Sequence, residues 1–132
     1  MTALDTNVLV RFLVQDDLLQ LAMVRRLFER SAQAQEALFV PVTVALELEW
    51  VLRSNFKRPK DEVIDVLSGL LAVTELSFES EAAIEFALDA YQSSSADFSD
   101  CLHAEIASLA GHAPIWTFDV KASKVAGAAQ LT

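Results

Sequence analysis

The chain has 132 residues, 53% of them apolar and 22% charged, with 19 acidic residues against 10 basic ones and a net charge of −9. That length and apolar content fit one domain over residues 1–132 with a full core, which excludes intrinsic disorder and a disulfide framework, the single Cys101 having no partner. The acidic balance argues against a protein that coats nucleic acid through a basic surface. A membrane span is not expected either. The longest stretch free of Asp, Glu, Lys and Arg is Ile106–Phe118, interrupted by Gly111 and Pro114, and a spanning helix needs about 20 apolar residues. The opening Met1-Thr2-Ala3-Leu4-Asp5 lacks the basic segment and apolar core of a signal peptide, so a soluble, cytoplasmic protein is expected.

In chain order, Thr2–Leu4 reads as a short apolar strand, and Asp16–Arg30 as a helix with Leu21, Val24, Leu27 and Phe28 on one face. Leu38–Val40 is a second strand, and Thr43–Ser54 a second helix. Pro59 is placed to open a third helix, whose buried stripe is Val63, Leu67, Leu70 and Leu71. A strand at Ala72–Leu76 precedes a helix over Glu79–Tyr91, with Ala83, Phe86, Ala87 and Ala90 on its apolar side. Ser93-Ser94-Ser95 is a loop. The helix Asp97–Ala110 then carries Leu102, Ile106 and Leu109 inward, and strands at Ile115–Phe118 and Ala128–Leu131 complete the chain. Short apolar strands alternating with helices imply parallel pairing buried on both faces. The expected class is α/β, an α/β/α sandwich around a short, mostly parallel central sheet, with strand number and order left open.

Acids fall at the ends of these elements. Asp5 follows the first strand and Asp119 a later one, and ligands of open parallel sheets bind at the carboxyl ends of strands. For either acid alone, a plain helix N-cap is the simpler explanation. Glu47 has Val44 and Val51 three back and four ahead, which places it within an apolar stripe, where a lone carboxylate is costly. Glu49 is read as half of a surface ion pair with Arg53. Asp97 reads as an N-cap and Asp100 as the third helical residue of a capping-box variant.

Gathered in one crevice, Asp5, Glu47, Asp100 and Asp119 would repel one another unless a cation joined them. The donors are all oxygen, and His103 and His112 have no cysteine at zinc-like spacing, so the chemistry suits Mg²⁺ or Mn²⁺. Such a cation activates water and stabilises the leaving oxygen of a phosphodiester. Basic residues cluster at Arg53, Lys57, Arg58 and Lys60, and again at Lys121 and Lys124, where they could guide a nucleic-acid strand, although a solvated helix end is the simpler reading of each.

The run Leu4-Asp5-Thr6-Asn7-Val8-Leu9-Val10-Arg11 resembles the start of a PIN-domain nuclease of the VapC toxin type. So do Val14-Gln15-Asp16-Asp17, Glu47-Leu48-Glu49-Trp50-Val51-Leu52, Ala96-Asp97-Phe98-Ser99-Asp100 and Thr117-Phe118-Asp119, in the family's order over nearly the whole chain. The resemblance implies a PIN-like fold and Mg²⁺- or Mn²⁺-dependent cleavage of RNA by the toxin of a toxin–antitoxin pair. It also implies a homodimer and a small antitoxin of the VapB type as partner. Carried over, the catalytic and metal-holding acids are Asp5, Glu47, Asp100 and Asp119, with Asp97 the rival of Asp100, and Thr6, Asn7 and Thr117 in supporting positions. Leu18-Leu19 departs from relatives that carry Pro and a polar residue there, without touching an acid. A haloacid-dehalogenase-like phosphatase would need an acid where Asn7 stands. A receiver domain would want paired acids near the first strand. The alternative from another class is a non-catalytic PIN-fold binding module, which metal-dependent cleavage would distinguish.

Overall fold

A computed structural model describes all residues 1–132. The contacts gather into two compact units, Met1–Glu79 and Ser80–Thr132. The class is the expected one, helix-rich α/β with short strands paired only in parallel, and each unit holds one two-stranded sheet.

In the first unit Ala3 makes a single parallel bridge to Phe39, and Asp5 ends the extended segment by capping α1 (Thr6–Val14). This helix was not expected. Its sequence, Thr-Asn-Val-Leu-Val-Arg-Phe-Leu-Val, is short and rich in β-branched and aromatic residues, which favour strands and mask the helix. Gln15, in the left-handed region at φ 58°, closes it with its N–H on the Arg11 carbonyl. Asp17 then caps α2 (Leu18–Ala34) through the Gln20 N–H, so this helix starts later and runs longer than the sequence pattern suggests.

Next come β1 (Leu38–Val40), α3 (Val42–Ser54), α4 (Lys60–Leu71) and β2 (Leu76–Phe78). β1 and β2 pair as Leu38↔Leu76 and Val40↔Phe78, and these four side chains are buried while Phe39 and Ser77 are half-buried. The core behind them is Leu9, Leu48, Leu52, Val63 and Leu67, each almost fully removed from water. The strand expected at Ala72–Leu76 is displaced. Ala72 and Val73 donate to the Gly69 and Leu70 carbonyls and finish α4, and the strand forms only after that turn.

Glu79 explains the next boundary. Its N–H bonds the Val40 carbonyl, extending the ladder, and its carboxylate accepts the Val42 N–H at 2.8 Å. Pro41 has no side-chain cap to offer α3, so an acid distant in sequence supplies it. Glu79 therefore does not begin the following helix.

The second unit contains α5 (Glu81–Ser93), α6 (Phe98–Leu109), β3 (Ile115–Thr117), α7 (Val120–Ser123) and β4 (Ala128–Gln130). Ala83, Ala87, Cys101 and Ala104 are buried small residues that let α5 and α6 approach closely, and the Tyr91 and Phe98 rings meet with centroids 5.6 Å apart. Three expected core residues are overturned. Phe86 on α5 and both Ile106 and Leu109 on α6 are exposed, because Ile84, Leu88 and Tyr91 on α5 and Phe98, Cys101 and Leu102 on α6 form the inward stripes. β3 pairs with β4 as Ile115↔Ala128 and Trp116↔Ala129. This pair is not buried on both faces, since Trp116 is 61% exposed.

Gly127 fixes the turn into β4. It has φ +86°, and a Cβ there would lie 2.6 Å from Ser108 Oγ.

Candidate functional site

In the first unit Asp5 stands immediately before α1. Its Oδ1 accepts the Thr6 N–H at 2.7 Å, and Oδ2 has no protein partner. The cap and a ligand role therefore coexist on one carboxylate. Thr6 is buried, and its hydroxyl donates to Glu47 Oε1 across α1 and α3. Thr6 thus bonds both acids: its backbone orients Asp5 and its side chain orients Glu47. Asn7 is exposed and its side chain forms no hydrogen bond.

The burial expected for Glu47 is overturned. Glu47 is exposed, and Glu49 is the buried acid at 2% exposure. The inward stripe of α3 is Ala45, Leu48, Glu49 and Leu52, and one residue turns a helix by about 100°, which swings Glu47 off that stripe. The Glu49–Arg53 pair forms as expected, with Arg53 Nε 2.8 Å from Glu49 Oε2, but its acid is buried while Arg53 stays partly exposed.

In the second unit Asp119 caps α7, its Oδ1 accepting the Lys121 and Ala122 N–H groups at 2.8 and 3.3 Å. Its own N–H donates to Thr117 Oγ1 at 3.0 Å, which gives Thr117 a positioning role. Asp119 Oδ2, like that of Asp5, has no protein partner.

Asp97 occupies the N-cap position of α6 but makes no side-chain cap bond. Only the other half of the expected capping box forms, the Asp97 N–H bonding the Asp100 carboxylate. Asp100 is half-buried. Burial first, then the Asp97 and Asp119 charges, push its carboxyl above the ordinary range, outweighing that N–H bond and His103. Asp97 and Asp119 therefore both act on Asp100 through their charge.

Neither unit by itself gathers three His, Cys, Asp or Glu side chains into a ligand set. The donors nonetheless fit a hard divalent cation. They are carboxylate oxygens only, two with a free Oδ2 and one whose charge is disfavoured by burial and then by its acidic neighbours. Of the basic residues singled out in sequence, Arg53 and Arg58 are engaged by Glu49 and Glu62, whereas Lys121 and Lys124 are exposed and enter no ion pair. No helix is long and apolar enough to cross a membrane.

A family model described as PIN domain matches residues 2–128. The chain is also similar to a VapC ribonuclease of Aquifex aeolicus (strain VF5), 28% identical over 125 residues that cover 95% of this chain and 92% of the relative.

Proposed function

Because the chain belongs to the PIN domain family, we propose that it is a Mg²⁺- or Mn²⁺-dependent endoribonuclease, the toxin of a toxin–antitoxin pair. The observation that carries this reading is the state of the acids: Asp5 and Asp119 each commit one oxygen to a helix cap and keep the other free. Asp5 and Glu47 in the first unit, and Asp100 and Asp119 in the second, are the acids assigned to cation binding. When bound, such a cation supplies Lewis-acid activation of a water and of the leaving oxygen of a phosphodiester.

The chain's own groups set up that chemistry. The Thr6 hydroxyl fixes the Glu47 carboxylate, and the Thr6 N–H fixes Asp5. The Asp97 N–H fixes Asp100, and Thr117 holds the backbone of Asp119. Each acid is thus oriented by a neighbour before substrate arrives, which removes a reorganisation cost from the reaction.

Purified protein should cut single-stranded RNA in Mg²⁺ or Mn²⁺, leaving 5′-phosphate and 3′-hydroxyl ends, and EDTA should stop it. Asp5→Asn keeps the cap acceptor and should lower the rate by about 100-fold or more, since a metal's charge stabilisation is worth several kcal/mol. Undiminished cutting in EDTA would sink the metal mechanism. A metal-loaded protein that cuts no RNA would instead be the binding module.

The same reading makes the protein a homodimer restrained by a small antitoxin of the VapB type, with a basic side chain of the antitoxin, an Arg holding two carboxylates at once, placed at the acids. Sedimentation as a monomer at micromolar concentration would refute the dimer, and growth arrest that no neighbouring small gene relieves would refute the antitoxin.

A further inference from the structure

Strand β3 and the bend after it expose two large aromatic rings close together in sequence. Trp116 is 61% exposed and Phe118 77%, while Ile115 and Thr117 between and beside them are half-buried. Trp116 is exposed on β3, and Phe118 is exposed at the bend that directly follows the strand, two residues on. Across the ladder Trp116 pairs with Ala129, whose methyl group leaves the indole plane uncovered, and Leu131 beyond it is 44% exposed.

Charge decides what these rings fit. Asp119 follows Phe118 directly, and Lys121 and Lys124 follow Asp119, both exposed and unpaired in a molecule of net charge −9. Thr117 Oγ1 holds the Asp119 N–H, and Asp119 caps the turn that carries Lys121. Rings, acid and cations therefore lie on one continuous, hydrogen-bonded segment. Two open aromatic faces beside two free ammonium groups match the bases and phosphates of a single strand.

We propose that Trp116 and Phe118 form a base-stacking platform for single-stranded RNA, with Lys121 and Lys124 contacting its phosphates next to Asp119. The proposal rests on the ribonuclease reading and adds the residues that bind and position the substrate. Stacking is tolerant of base identity, so the platform holds the strand without choosing its sequence.

The test is fluorescence anisotropy with a 5′-labelled 12-nucleotide oligouridylate and an abasic oligomer of the same length, in Ca²⁺ in place of Mg²⁺. Trp116→Ala and Phe118→Ala should each weaken oligouridylate binding about tenfold, within the range measured for a lost stacking ring. Trp116→Phe should restore most of it. The abasic oligomer should bind wild type weakly and ignore both substitutions. In Mg²⁺ turnover, KM should rise while kcat at saturating RNA holds.

Unchanged affinity in both alanine variants overturns the proposal, as does an equal loss with the abasic oligomer. A change in sedimentation with unaltered RNA affinity also overturns it, by giving the rings to a protein partner. Wild type that binds RNA base-dependently but never cuts it would sink the ribonuclease reading and keep the platform. Normal cutting with an unchanged KM in Trp116→Ala would do the opposite.

Discussion

Asp97 and Asp100 differ in what each carboxylate already does. Asp97 caps nothing with its side chain, whereas Asp100 accepts the Asp97 N–H in a half-buried place that raises its proton affinity. A carboxyl whose folded pKa lies above its unfolded one loses stability as pH rises from the ordinary carboxyl range through the raised value, and carries the full cost above it. Metal-free protein should therefore gain from Asp100→Asn at neutral pH. Its Tm should exceed wild type there and converge with it as pH falls towards the ordinary carboxyl range. The amide keeps the acceptor for the Asp97 N–H but removes the charge a hard cation needs. Mn²⁺ binding and cleavage should be lost in Asp100→Asn and largely kept in Asp97→Asn; the reverse result would transfer the ligand role to Asp97. At this scale the sequence was informative for acids next to strand and helix ends, because Asp5, Asp97 and Asp119 all take N-cap positions. It misled on Glu47 and Glu49. Both lie among apolar residues, and which one turns inward depends on a helix phase that Val44 and Val51, half-buried themselves, do not mark.

At the scale of elements, the helices with a clear polar face were legible and the others were not. α3, α4 and α6 lie within a residue of their expected bounds, since Pro59, Asp97 and the apolar stripes mark them. α1 escaped because its nine residues are dominated by β-branched and aromatic side chains that favour strands, and α7 because four residues are too few to show a period. The boundary errors at β2 and α5 have separate causes: the turn at Ala72 and Val73 that finishes α4 delays β2, and Glu79 delays α5. Glu79 leaves its own helix to cap α3 from 37 residues away, a long-range bond that no local pattern encodes. Gly127 shows the converse, a local signal with a long-range reason. Its φ of +86° makes the turn, and a Cβ there would have to displace the Ser108 hydroxyl from α6.

For the whole molecule, a net charge of −9 and a nucleic-acid substrate conflict only if the binding energy is electrostatic over a large area. Affinity of a protein that covers many phosphates falls steeply with salt, by about −0.7 per phosphate contact for a single strand on a log–log plot. Arg53 and Arg58 are held by Glu49 and Glu62, and Arg11 by Asp16, which removes three cations from any such surface. With Lys121 and Lys124 as the phosphate contacts, the slope for a labelled oligouridylate at fixed divalent concentration should be about −1.4, as two contacts give. Replacing both lysines by Gln should flatten it towards zero while leaving the stacking contribution of Trp116 and Phe118 in place. A wild-type slope near −4 or steeper would require about six contacts, and the exposed arginines Arg25, Arg26 and Arg30 on α2 would then be the next to replace. A shallow slope joined to a strong penalty for abasic RNA is the combination that reconciles an acidic protein with an RNA strand: the rings supply the affinity, and a small number of local cations fix the backbone beside Asp119.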